Sequence, residues 1–121
     1  MGSKKILIVD DQPGIRLLLT DILENEGYLV QTASTGKEAM EELYKQTLDL
    51  ILLDYRLPVL DGSEVLKKME EEHMDIPAIV ISGMIENITS EGNIYSHTKA
   101  VIGKPFDVLE LSGLIKKILY P

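Results

Sequence analysis

Three carboxylates, a hydroxyl and an ammonium stand where apolar runs stop. Ile6-Leu7-Ile8-Val9 gives way to Asp10-Asp11, Leu50-Ile51-Leu52-Leu53 to Asp54, Ala78-Ile79-Val80-Ile81 to Ser82, and Ala100-Val101-Ile102-Gly103 to Lys104-Pro105. Short apolar runs bounded by turn signals read as strands buried on both faces. If the strands are parallel, their carboxyl ends line one sheet edge, where open α/β sheets bind ligands. Two carboxylates ~4 Å apart repel by ~4 kcal/mol at an effective dielectric near 20, so three together are either largely protonated or hold a dication. Carboxylate oxygens with room left for water and a phosphate suit Mg2+. With that ion present Asp54 stays ionised, and one of its oxygens is free to attack an electrophilic phosphorus. Lys104 offers a mobile point charge to phosphoryl oxygens, and Ser82 a hydroxyl donor. These roles describe phosphoryl transfer to an aspartate, driven by positioning and charge neutralisation.

The elements that must position these groups alternate along the chain. Residues 5–9 form a first strand, and 13–26 a helix with Ile15, Leu18, Leu19, Ile22 and Leu23 on one face, ended by Gly27. Residues 28–33 alternate weakly and predict an edge strand. Thr35-Gly36-Lys37-Glu38 spells a capping box for a helix to about residue 46 that buries Ala39, Met40 and Leu43. Residues 49–53 form the central strand, its exit marked by Pro58 and Asp61-Gly62. Asp61 or Ser63 caps a helix through 72 with Val65, Leu66 and Met69 inward, and Ile76-Pro77 opens the fourth strand. A crossover helix is expected within 85–99, but Asn87, Thr89, Ser90, Gly92 and Asn93 are weak formers, and Gly92 alone costs about 1 kcal/mol against Ala. That helix is expected to be short or irregular. Asp107 with Glu110 caps a last helix facing the sheet through Leu111, Leu114, Ile115 and Ile118. Five βα units with right-handed crossovers predict an α/β fold, a doubly wound five-stranded parallel sheet covered on both faces. The second strand is the least apolar and so an edge, which gives the order 2-1-3-4-5. Strands one and three are then neighbours, and Asp10, Asp11 and Asp54 converge.

Composition narrows the function classes. At 121 residues the chain is one domain, 1–121, able to bury roughly two thirds of its unfolded surface. It has no Cys and needs no staples, in keeping with a cytoplasmic setting. No apolar run approaches the ~20 residues of a membrane span, and the first residues lack a signal peptide's apolar segment. A net charge of −8 argues against unaided nucleic-acid binding, which needs clustered Lys and Arg. His73 and His97 lie in polar stretches and are expected to face solvent, as is the helix end Glu70-Glu71-Glu72. Met40, Met69 and Met84 are expected to pack.

Taken together, Asp10-Asp11, Asp54 with Pro58 and Asp61-Gly62 behind it, Ser82-Gly83 and Lys104-Pro105-Phe106 resemble the receiver domain of two-component response regulators, with its CheY-like, flavodoxin-like fold. The resemblance spans essentially the whole chain. It implies that Asp54 accepts a phosphoryl group from a histidine kinase or histidine phosphotransfer protein, in a reaction the receiver itself assists without being a conventional turnover enzyme. It implies Mg2+ held by Asp11, Asp54 and the backbone carbonyl of Arg56, with Asp10 helping through water. Lys104 would contact the phosphoryl group, Ser82 would close on it, and the Lys104-Pro105 bond would be cis. The run Asp10-Asp11-Gln12-Pro13-Gly14-Ile15-Arg16 is further similar to single-domain receivers of sporulation phosphorelays. There Gln12, Gly14, Ile15, Arg16 and Leu18 correspond to the surface that docks the histidine-bearing partner, and Pro105-Phe106 also agrees. A stand-alone receiver, monomeric or weakly dimeric, or one excised from a longer protein is expected.

Departures from the family pattern bear on the switch. Receivers usually carry Tyr or Phe three residues before the lysine, where this chain has Val101, and Gly-Ala where it has His97-Thr98. The aromatic half of the usual switch is therefore missing at that position, which leaves an adaptor that works without phosphorylation as the rival reading. A haloacid-dehalogenase-like phosphatase would want Asp two residues after the nucleophile, where Arg56 stands, and a dinucleotide site would want a Gly-x-Gly-x-x-Gly after the first strand. Arg56 and Met84 follow Asp54 and Ser82 by two, positions that in receivers flank the phosphoryl group. Arg56 can pair with a phosphoryl oxygen or obstruct water, so a long-lived acyl phosphate is expected. Arg56→Asn should speed its decay several-fold; an unchanged decay curve in the purified phosphoprotein would make the side chain a bystander.

Overall fold

The computed structural model describes residues 3–83, 95 and 97–121. Five strands, β1 (Lys5–Val9), β2 (Leu29–Ala33), β3 (Leu50–Asp54), β4 (Ala78–Ser82) and β5 (Thr98–Gly103), form one parallel sheet in the order β2-β1-β3-β4-β5. Four helices accompany them among the described residues: α1 (Pro13–Asn25), α2 (Gly36–Lys45), α3 (Gly62–Glu71) and α4 (Val108–Leu119). The expected order and class hold. The weak crossover read between 85 and 99 lies almost wholly outside the described residues, as does Met84.

Because β1, β3 and β4 each contain four consecutive apolar residues, 6–9, 50–53 and 78–81, the strand pleat divides each run between two half-cores. Leu7, Val9, Ile51, Leu53 and Val80 point towards α2 and α3, where they meet Ala39, Met40, Leu43, Val65, Leu66 and Met69. Ile6, Ile8, Leu50, Leu52, Ile79 and Ile81 point the other way, onto Leu19 and Leu23 of α1 and Leu111 and Ile115 of α4. A fully buried aliphatic side chain is worth roughly 1.5–3 kcal/mol, and these runs supply most of them. At the amino-terminal edge Lys5 and Asp49 clamp β1 to β3, the Lys5 N–H donating to Asp49 Oδ2 at 2.8 Å and the Asp49 N–H to the Lys5 carbonyl at 2.8 Å. One expectation on α1 changes: Leu18 is 44% exposed and Leu17 65%, so the buried stripe narrows to Leu19 and Leu23.

The helix ends follow the sequence signals with two shifts. Thr35 Oγ1 accepts from the Glu38 N–H, but Glu38 reaches back to the N–H and hydroxyl of Ser34 rather than to Thr35. Asp61 occupies the N-cap position of α3 without capping it. Two helices share one C-terminal device. After α1, the Tyr28 N–H donates to the Leu23 carbonyl and Gly27 to Glu24; after α3, Met74 donates to Met69 and His73 to Glu70. This paired pattern is the Schellman motif, and it requires a left-handed residue. Gly27 fills it at φ 96°, whereas His73 fills it at φ 56°.

The left-handed conformation costs a non-glycine residue roughly 1–2 kcal/mol, and glycine's extra unfolded-state freedom gives back about 0.5–1 kcal/mol of that advantage. His73→Gly is therefore expected to raise the unfolding free energy by up to about 1 kcal/mol and Gly27→Ala to lower it by a similar amount, both read from urea denaturation.

Candidate functional site

The carboxyl edge of the sheet collects what the sequence placed at strand ends. Asp10 follows β1 directly and is held in line by its N–H donating to the Ala33 carbonyl at 3.1 Å. Asp54 is the last residue of β3, and the next N–H, of Tyr55, donates to the Ile81 carbonyl at 2.9 Å. Ser82 ends β4 opposite Gly103 of β5, and the Lys104 N–H donates to the Ser82 carbonyl at 2.8 Å. The ladder thus continues one residue past β1, β3 and β5, which lines up Asp10, Asp54, Ser82 and Lys104 along the carboxyl edge. Asp10, Asp54 and Ser82 are buried, while Asp11 is exposed.

Lys104 Nζ lies 3.0 Å from Asp54 Oδ2 and 3.3 Å from Asp10 Oδ2, bridging the two buried acids. Asp10 is further oriented, since Oδ1 accepts from the Gln12 N–H at 2.9 Å and its backbone carbonyl accepts from Arg16 Nη1 at 2.7 Å. Asp10, Asp11 and Asp54 each present a carboxylate oxygen within 4.8 Å of the others, so the cluster can hold a metal ion. An all-oxygen donor set with one acid open to water matches Mg2+, which keeps several waters. Burial pushes the Asp54 carboxyl above its usual range, against the pull of the Lys104 ammonium; Asp10 adds to the push and the Arg56 N–H opposes it. Lys104 loses hydration, yet the Asp54 and Asp10 carboxylates outweigh that loss and raise it.

The remaining expected residues arrange around this centre. The Lys104-Pro105 bond is cis, as the resemblance implied. Pro105 is exposed and Phe106 is half-buried against the α1–α4 half-core. Gln12, Gly14, Ile15 and Leu18 run along the start of α1, exposed or partly so. Arg16, on the same helix turn, also donates from Nη1 to the Asp10 carbonyl and so braces that strand end. The Arg56 guanidinium sits over the Tyr55 ring, 4.9 Å from its centroid, and 3.3 Å from Asp61 Oδ2.

Two supports are legible in the sequence only as a turn signal and, for Asp61, as a candidate helix cap. Asp61 accepts from the Leu57 N–H at 3.0 Å and from the Ser63 hydroxyl at 2.8 Å, which knots the loop behind Asp54. Gly62 packs so closely that a Cβ would press on the Asp54 and Tyr55 carbonyl oxygens. The Asp-Gly pair was legible as a turn, but its approach to the β3 backbone is visible only in three dimensions.

Comparison with known proteins agrees with this geometry. A family model described as response regulator receiver domain matches residues 6–116. The chain is 38% identical to sporulation initiation phosphotransferase F of Bacillus subtilis, over 98% of this chain and 96% of that protein. It is 37% identical to the alkaline phosphatase synthesis transcriptional regulatory protein PhoP of the same organism, over 97% of this chain but only 49% of the longer relative. Among solved structures, the response regulator TrrA of Thermotoga maritima in complex with Mg2+-BeF superposes with a TM-score of 0.84 at 33% identity, over 96% of this chain and 99% of that one.

A folded-state pKa above the unfolded value means that the folded chain binds the extra proton between the two. In chelator, Asp54's contribution to stability is therefore full below its ordinary 3.8 and lost as pH rises through its raised value. Asp54→Asn should abolish that component of the decline, and urea denaturation across this acid range measures it; an identical pH profile for the variant would refute the assignment.

Proposed function

The chain belongs to the response regulator receiver family, and from that premise we propose that Asp54 is its phosphoacceptor and that the domain relays a phosphoryl group. The observation that carries this reading is the Lys104 ammonium bridging Asp54 and Asp10 beside an exposed Asp11. An Asp54 oxygen attacks the phosphorus of a phosphohistidine, the P–N bond breaks, the histidine nitrogen keeps the electron pair and takes a proton, and an acyl phosphate forms. Desolvation makes Asp54 a better nucleophile while raising its carboxyl, and the Lys104 ammonium opposes that rise, favouring the ionised form. Lys104 is within reach to follow the charge onto the new phosphoryl oxygens, and Ser82 supplies a hydroxyl from the neighbouring strand end. Asp10, Asp11, Asp54 and the Arg56 carbonyl would hold Mg2+, which would offset the phosphoryl charge.

Receivers of this type interact with histidine kinases or phosphotransferases. The start of α1, with Gln12, Gly14, Ile15 and Leu18, and the loop at Pro105 and Phe106 border the same sheet edge as Asp54. That border is where the histidine-bearing partner would dock, and exposed Leu17 extends it. Among the described residues no helix is long and apolar enough to cross a membrane, and a cytoplasmic, monomeric or weakly dimeric receiver spanning 1–121 is the reading we adopt.

Incubation with Mg2+ and acetyl phosphate should add one phosphoryl group by intact mass, lost with chelator and in Asp54→Asn. No gain in folded, Mg2+-binding protein would favour the adaptor that acts without phosphorylation. Ile15→Ala should slow transfer from a phosphohistidine partner about tenfold or more, the equivalent of ~1.4 kcal/mol of docking energy, while leaving acetyl phosphate labelling unchanged. Arg16→Ala should impair both, since it also unbraces Asp10.

A further inference from the structure

The amino-terminal edge of the sheet, opposite Asp54, holds a histidine that the fold buries without satisfying. His97 is 3% exposed, and neither ring nitrogen has a hydrogen-bond partner. Burying an imidazole with both nitrogens unpaired is unfavourable, so such a group calls for a partner, an ordered water or an ion. The position is fixed by backbone, because the His97 carbonyl accepts from the Ala78 N–H at 2.8 Å where β4 begins, and by the Tyr95 ring stacked on it at 5.6 Å.

The ring lines a pocket of about 280 Å3 together with Glu70, His73 and Asp75, over walls of Met69 and Met74. His97 Nε2 lies 4.0 Å from Glu70 Oε2. Two ligand bonds of ~2.0–2.2 Å to one ion span close to that separation, and a small shift of the half-exposed Glu70 would bring the angle towards tetrahedral. His73, in the left-handed position that ends α3, lines the same pocket.

Among the described residues the group with three ligand atoms already within 4.8 Å of one another is Asp10, Asp11 and Asp54. We propose that the His97–Glu70 pair nucleates a second metal site, completed by rotation of the exposed His73 side chain, for a borderline-soft divalent transition ion such as Zn2+ or Ni2+. Imidazole and carboxylate together favour such ions over Mg2+, which prefers oxygen and water. Glu70 and Asp75 disfavour an anion in the same space. The Met69 and Met74 side chains limit water on the inner wall and strengthen the charge interaction.

The test uses the full chain saturated with Mg2+, so that the carboxylate cluster is occupied, titrated with Zn2+ by calorimetry and with Co2+ by visible absorption. One additional site is expected, with Zn2+ raising the melting temperature. His73→Gly, which should fold at least as well as the parent, is expected to weaken that site about tenfold or more, as are His97→Gln and Glu70→Gln. Asp11→Asn should leave it intact. Binding indifferent to His73→Gly and Glu70→Gln, or lost with Asp11→Asn, would overturn the proposal and place the ion at the Asp54 cluster; no binding would overturn it as well.

Discussion

The rest of this structure depends on one ammonium between two buried acids. A parallel sheet of order β2-β1-β3-β4-β5 sets β1 beside β3, and each delivers a buried aspartate to the carboxyl edge, Asp10 directly after β1 and Asp54 at the end of β3. Left alone, Asp10 and Asp54 would repel each other, and nothing would offset the burial that raises the Asp54 carboxyl. Lys104, delivered from β5 two strands away, meets both within 3.3 Å and makes the arrangement tenable. The balance is incomplete, since burial still holds Asp54 above its usual range. That residue of unfavourable charge suits a group that must bind a dication and attack phosphorus, and it ties the chemistry to the topology.

Holding this balance requires strand ends that do not drift. The two half-cores anchor β1, β3 and β4 from both sides, so their ends are placed by packing rather than by the loops. Behind Asp54, the hydrogen bonds of Asp61 and the close approach of Gly62 press the loop onto β3. Arg16 does the same for Asp10 from the first turn of α1. The face proposed to receive a partner and the brace that orients an acid share one helix turn, an arrangement that would couple docking to the geometry of the site.

His97 is the residue at which reading along the chain failed. Its neighbours Ser96 and Thr98 are polar, and a solvent-facing ring was the natural expectation. Local polarity says nothing about what β4, α3 and Tyr95 bring against the start of β5. His73, with the same kind of polar flank, is exposed as expected, but its left-handed backbone was not foreseen because glycine is the usual occupant. The shift of Leu18 to the surface has a similar origin: a helical stripe read from periodicity is wider than the strip the sheet covers.

Fold class, strand order and the acid–hydroxyl–ammonium set were legible in the sequence. Apolar runs ending at charged residues mark buried strands and their carboxyl ends, and the handedness of crossovers leaves few ways to assemble them. The same runs, being apolar at every position, could not say which of Ile8 and Val9 faces which helix pair, because the pleat carries no mark when both faces are buried. Only the assembled sheet decided that, and with it which acid is engaged and which is open to solvent. The sequence determined the chemical groups; tertiary structure decided their burial, since burial belongs to what lies across the chain and not along it.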